Sequence, residues 1–183
     1  MNQQHKSVLQ PNDLTKLFKV STRHAPAIAP GLALQFIGRV RESELFRPLA
    51  WSCWNGQFVR LPGSRRGADR VVDGGLGLKA WYDALTPGAP DAPIMTMSRE
   101  EYRKLLREVR ELAGFTAWGK DCFRIAGIAL FTWNDQEYMA HRHQMLGHVT
   151  DSATTASFFH GNAQDSWATV ASAITPEALQ FKP

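Results

Sequence analysis

The chain has 183 residues, which against about 150 per domain amounts to one compact domain with room for an appended arm. Lys and Arg number 21 against 17 Asp and Glu, a formal charge of +4 that suits a polyanionic partner without requiring one. Two cysteines rule out a disulfide framework and a Cys-only zinc site and point to a reducing cytoplasm, and the absence of any apolar run near the roughly 20 residues of a membrane span, or of a signal-peptide centre in residues 1–17, excludes membrane-spanning and secreted readings.

Residues 1–24 read as an N-terminal arm or leading helix, with Asn12 or Asp13 as cap before Leu14, Leu17, Phe18 and Val20. Residues 25–183 form the main domain. Pro26 and Pro30 bracket a turn, and the apolar run 31–37 predicts a buried helix. A polar stretch, Arg41-Glu42-Ser43-Glu44-Leu45, follows and runs into Leu49, Trp51 and Trp54. Asn55-Gly56 is a hairpin signal. Residues 57–61 alternate as a strand, 69–72 read as its partner, and a basic turn at 62–67 joins them.

Residues 78–85 predict a helix, and Pro87, Pro90 and Pro93 an exposed connection. Ser98 with Glu101 forms a capping box. Tyr102, Leu105, Leu106, Val109 and Leu112 behind it follow helical spacing, and Gly114 should stop that helix. Further helices are expected over about 121–133, from the Asn134/Glu137 box to Leu146-Gly147, from Asp151 through Phe158, and over 165–174. No internal repeat is present. The sum is a mostly helical α+β domain with a small antiparallel sheet.

Four polar islands carry candidate chemistry: Arg41 with Glu44; Arg60, Arg65, Arg66 and Arg70 around the hairpin; Asp121 with Arg124; and His141, Arg142, His143 and His148 ahead of Thr154-Thr155. Each has a plainer reading. Arg41 and Glu44 are three apart and pair on a helix surface, hairpin arginines blunt a sheet edge, and Asp121 anchors Arg124 as a structural ion pair. His141, His143, His148 and Cys122 are zinc-ligand types, but their spacing fits no common zinc pattern. No G-x-S-x-G elbow, P-loop or dinucleotide fingerprint occurs. Neither a metal nor a cofactor is expected.

Taken in order, the islands resemble the conserved boxes of tyrosine recombinases (phage integrases and Xer-type enzymes). Gly38-Arg-Val-Arg41-Glu-Ser-Glu44-Leu45 with Leu49-Ala-Trp51 is similar to the first arginine box. The hairpin resembles the family's β-hairpin, with Arg70 as the basic residue before the closing strand. Asp121-Cys-Phe-Arg124 resembles His-x-Leu-Arg, and Leu146-Gly147-His148 matches Leu-Gly-His. Residues 154–160, Thr-Thr-Ala-Ser-Phe-Phe-His, look like the Thr-Thr-x-x-Tyr-x-His nucleophile segment. The resemblance runs from about Leu32 to His160.

That resemblance implies a tyrosine-recombinase-like catalytic domain in which a tyrosine attacks a DNA phosphodiester. It assigns Arg41, Arg124 and His148 to the phosphate oxygens, since planar guanidinium forks match phosphate geometry. The departures are as informative. Phe158 has no hydroxyl, Asp121 stands in place of a histidine, and the hairpin, with Ser64 or Arg65 nearest the family's lysine position, has no lysine. Arginine is a poor proton donor at a pKa above about 12. Three phosphate-binding positions are kept and three reactive positions lost.

The resemblance therefore implies a catalytically inactive DNA-binding protein that regulates or assists integration, excision or transcription of a mobile element, working in the cytoplasm without the family's separate core-binding domain. Arg60, Arg65, Arg66, Arg70, Arg142 and His143 are the expected additional contacts to duplex phosphates. Three alternatives remain: a strand-transferase using Ser157, a recombinase carrying a single Tyr→Phe change, and an interaction module. In the last, residues 162–174, with Trp167, Val170, Ala171 and Ile174 at helical spacing, dock on a second copy or on a recombinase partner, or fold back on their own domain.

Overall fold

The apolar run after Pro26 becomes the helix about which the rest of the chain packs. In a computed structural model describing residues 9, 11–47, 49–63, 69–115, 122–131, 170 and 172–182, that helix, α2 (Ala29–Phe36), is buried along its whole length. A helix apolar all round must be covered on every side, and α1 (Pro11–His24), α4 (Gly75–Ala84) and α6 (Cys122–Phe131) all pack against it.

α1 is amphipathic and buries Leu14, Leu17 and Phe18, so the leading segment is part of the core. The Phe18 ring meets Phe36 of α2, Trp81 of α4 and Phe123 of α6 at centroid distances of 6.2, 6.0 and 6.4 Å. One side chain thus joins four helices. α5 (Arg99–Leu112) starts where the capping box predicts, the Ser98 hydroxyl accepting the Glu101 amide at 3.1 Å. It stops at Gly114, whose φ of 77° lies in the left-handed region that glycine adopts without strain.

Between α2 and α4 the chain forms the short helix α3 (Glu42–Leu45) and the hairpin of β1 (Phe58–Leu61) and β2 (Arg70–Asp73). The strands pair antiparallel, Val59 opposite Val72 and Leu61 opposite Arg70. Each strand lies one residue later than the alternation suggested at its start, and β2 also ends one later. Asn55-Gly56 does make a turn, closed by an antiparallel bridge from Trp54 to Val59, with Gly56 at φ 96°. Among the described residues no helix is long and apolar enough to cross a membrane.

Near the end of the chain Val170 and Ile174 are buried in this chain's own core, and the Trp81 indole N–H donates to the Ile174 carbonyl at 3.1 Å. Two of the four residues of the 162–174 stripe therefore fold back on their own domain. Trp167 and Ala171 lie outside the described residues, as do the helices expected over 134–146 and 151–158.

Gly127 sets the approach of α6 to α2. A Cβ there would overlap the Phe36 carbonyl oxygen, a backbone atom that cannot swing aside as a side chain would. Gly127→Ala is expected to destabilise the fold by about 3 kcal/mol, the upper range for overpacking. In a thermal melt this would lower the midpoint by roughly 6 to 12 °C; an unchanged midpoint would show that the helices do not meet this closely.

Candidate functional site

Arg41 sits at the N-terminal boundary of α3, in extended conformation (φ −73°, ψ 147°). Its amide donates to Glu44 Oε2 at 2.7 Å and its guanidinium Nη1 to Glu44 Oε1 at 2.9 Å. The plain pairing of these two residues is therefore real, but a third residue joins it. Arg70, carried 26 residues further along the chain, donates Nη2 to Glu44 Oε2 at 2.7 Å. One carboxylate holds two guanidiniums, and the Arg70 and Glu44 side chains are only 9% and 15% exposed.

The electrostatics follow from burial. Burial alone pushes the Glu44 carboxyl up, but Arg70, the Arg41 amide and the Arg41 guanidinium together hold it below its ordinary value. Burial also lowers the proton affinity of Arg70. Glu44 works against that and Arg41 adds to it, and the result stays below the ordinary arginine value. Arginine remains charged at neutral pH nonetheless, so two cations and one anion share a small volume with an excess of one positive charge.

The second arginine of the proposed phosphate set, Arg124, is tied to the main chain shortly before Arg41. It is buried, one helical turn before Gly127, and its Nε donates to the Arg39 carbonyl at 3.1 Å. Arg39 lies two residues before Arg41. The anchor observed for Arg124 Nε is thus a main-chain oxygen. Asp121, expected as its ion-pair partner, lies outside the described residues.

Arg39 itself was not singled out from the sequence. It is 1% exposed with φ 53°, a left-handed position that normally falls to glycine after a helix. Its Nη2 donates to the Asp73 carbonyl at 2.5 Å, tying the end of β2 to the segment between α2 and α3. One residue therefore touches both the hairpin that supplies Arg70 and the helix that supplies Arg124. Nothing local in the sequence announces it, because both partners are distant along the chain.

The hairpin arginines do not form one set. Arg70 shares the inner face with Leu61 and Val72, whereas Arg60 is on the outer face, 70% exposed and paired with Asp69 at 3.0 Å. The pleat dictates this split, since residues 60 and 70 occupy opposite faces once Leu61 pairs with Arg70. An exposed pair such as Arg60–Asp69 adds little stability. Arg65, Arg66, Arg142, His143, His148 and Phe158 lie outside the described residues, as do His141, Thr154, Thr155 and Ser157.

A second pair of arginines also went unnoticed. Arg99 and Arg103 of α5 both donate Nε to Glu42 Oε1, at 2.6 and 2.7 Å. Gln35, Val40, Glu42, Leu106, Cys122 and Arg124 line one small cleft between α3, α5 and α6. Tyr102, fully buried beside it, donates its hydroxyl to Gln35 Oε1 at 3.2 Å. Burial, then Glu42 and Cys122, raises this phenol well above its ordinary value, so it stays neutral at physiological pH.

The chain has the fold of a tyrosine-recombinase catalytic domain. A lambda integrase (75-356) dimer bound to a COC' core site matches with a TM-score of 0.68 at 14% identity, over 90% of this chain and 62% of that one. XerA recombinase matches with a TM-score of 0.66 at 15% identity, over 91% and 64%. A further lambda integrase dimer on a COC' core site matches with a TM-score of 0.65 at 13% identity, over 90% and 51%. This chain thus spans less than two thirds of the length of the structures it resembles. No family model and no curated protein sequence matches it.

Glu44 is the residue on which the Arg41–Arg70 pair stands. Glu44→Gln leaves two buried or half-buried cations without their anion and is expected to cost about 3 kcal/mol at neutral pH. Because the folded carboxyl titrates below its unfolded value of about 4.3, its contribution is full above that pH. It is lost as pH falls through the lower, folded value. Urea titrations from pH 7 to pH 2.5 should show the variant with a shallower acid limb than the parent; parallel limbs would contradict the assignment.

Proposed function

We propose that this chain is a recombinase-like DNA-binding protein that holds a backbone phosphate with Arg41, Arg124 and His148 without breaking it. Its role is to regulate or assist integration, excision or transcription of a mobile element. The observation that carries the reading is the gathering of Arg41 and Arg70 on Glu44, with Arg124 fastened to the backbone two residues before Arg41. Two of the three phosphate-binding positions named by the sequence resemblance are thereby brought to one short stretch of chain, beside a third cation.

DNA is the favoured partner because guanidinium forks bind phosphate oxygens in pairs, and because the lambda integrase structures that share the fold are bound to a COC' core site. The absence of cutting rests on chemistry. Strand cleavage needs an attacking hydroxyl and a proton donor for the leaving oxygen. Phe158 offers none, and the 55–74 segment carries no lysine. Of the three tyrosines, Tyr102 is sealed in the core with its phenol neutral and hydrogen-bonded, so it is no substitute nucleophile.

Two measurements test this. In fluorescence anisotropy, duplex DNA should bind at low salt and weaken as salt rises. Arg41→Gln should reduce affinity by about tenfold, the equivalent of about 1.4 kcal/mol for one lost charged contact. A suicide duplex should give no covalent adduct with the chain or with Phe158→Tyr, since restoring one hydroxyl leaves the proton donors missing. Absence of DNA binding at low salt would overturn the DNA reading. An adduct abolished by Ser157→Ala would establish the strand-transferase instead.

A further inference from the structure

Helix α3 carries two carboxylates, and each gathers two arginines. Glu44 holds Arg41 and Arg70; Glu42 holds Arg99 and Arg103. Residues two apart leave a helix about 200° around its axis, so the two clamps open on different sides of α3. The Glu42 clamp has a feature that a simple tie between α3 and α5 does not need. Both arginines approach the same oxygen, Oε1, and both use Nε. Each guanidinium thus spends Nε on that single carboxylate oxygen, on side chains that are 40% and 53% exposed.

We propose that Arg99 and Arg103, fixed by Glu42, form a second phosphate subsite that takes a nucleic-acid backbone phosphate other than the one held at Arg41 and Arg124. The inference rests on the DNA reading above and extends it to a particular pair of side chains. Two guanidiniums bonded to one oxygen lie close together with a single negative charge between them, which leaves one positive charge for an anion to neutralise. Their forks are already oriented, so binding a phosphate loses little side-chain freedom.

The position is contiguous with the candidate site, because Glu42 and Arg124 line the same cleft. The basic character also continues along α5. At about 100° per residue, positions 99, 103, 107 and 110 fall within an arc of about 80°, and all four are arginine. Arg107 is exposed one turn beyond Arg103, which extends the row along the helix as a backbone-tracking contact requires.

The test is a salt titration of binding to two unrelated duplexes, comparing the unaltered chain with Arg99→Gln/Arg103→Gln and with Arg103→Gln alone. Each phosphate neutralised adds about 0.9 to the slope of log K against log salt. The double variant should lose about one unit of slope, equally on both duplexes, and Arg103→Gln, on the more exposed of the two, should lose part of it with an unchanged circular dichroism spectrum. A purely structural tie would move the melting temperature and leave the slope alone. An unaltered chain that binds DNA with salt dependence, together with variants of the same slope, overturns the second subsite and leaves the DNA reading standing. No binding by the unaltered chain overturns both.

Discussion

The Glu44 carboxylate is the constraint from which the site is built. Two arginines brought within contact of each other repel, and burial makes the repulsion stronger by removing water. Arg41 and Arg70 can stand together only because an anion with two accepting oxygens lies between them, one oxygen for Arg41 Nη1 and the other for Arg70 Nη2. That same anion caps α3 through the Arg41 amide. The local helix, the docking of the hairpin and the concentration of positive charge are thus consequences of one side chain, and a group that neutralised Glu44 would loosen all three.

Around that centre the fold supplies distance control. The close approach of α6 to α2 at Gly127 carries Arg124 to the Arg39 carbonyl, while the Arg39 guanidinium fastens β2 through the Asp73 carbonyl. A non-glycine residue in the left-handed region costs on the order of 1 kcal/mol, which the rest of the structure must offset. The chain accepts that strain at a residue that touches both arginine-bearing elements. In the proposed reading binding and cutting are separable, because cations that draw in a phosphate act whether or not a hydroxyl is present to attack it.

Much of this was legible in the sequence, and the reasons are local ones. The Ser98 cap, the Gly114 stop, the buried run at 31–37 and the alternation of the hairpin all depend on residues within a few positions of one another. Arg41, Glu44, Arg70 and Arg124 stood out as members of polar islands that follow the order of the recombinase-like boxes. What stayed hidden is what joins distant segments. Glu42 with Arg99 and Arg103 spans 57 and 61 residues, and Arg124 with Arg39 spans 85. The split of Arg60 from Arg70 needed the strand register, because a single step exchanges the two faces of a sheet. The left-handed conformation of Arg39 had no sequence signal at all, since arginine is not a residue that announces a turn.

The most direct measurement is a crystal structure of the chain on an intact DNA duplex. The account predicts one backbone phosphate within about 3 Å of guanidinium nitrogens from both Arg41 and Arg124, its phosphodiester unbroken and Glu44 still joining Arg41 to Arg70. A duplex seated elsewhere on the chain, with no phosphate at those two arginines, would contradict it.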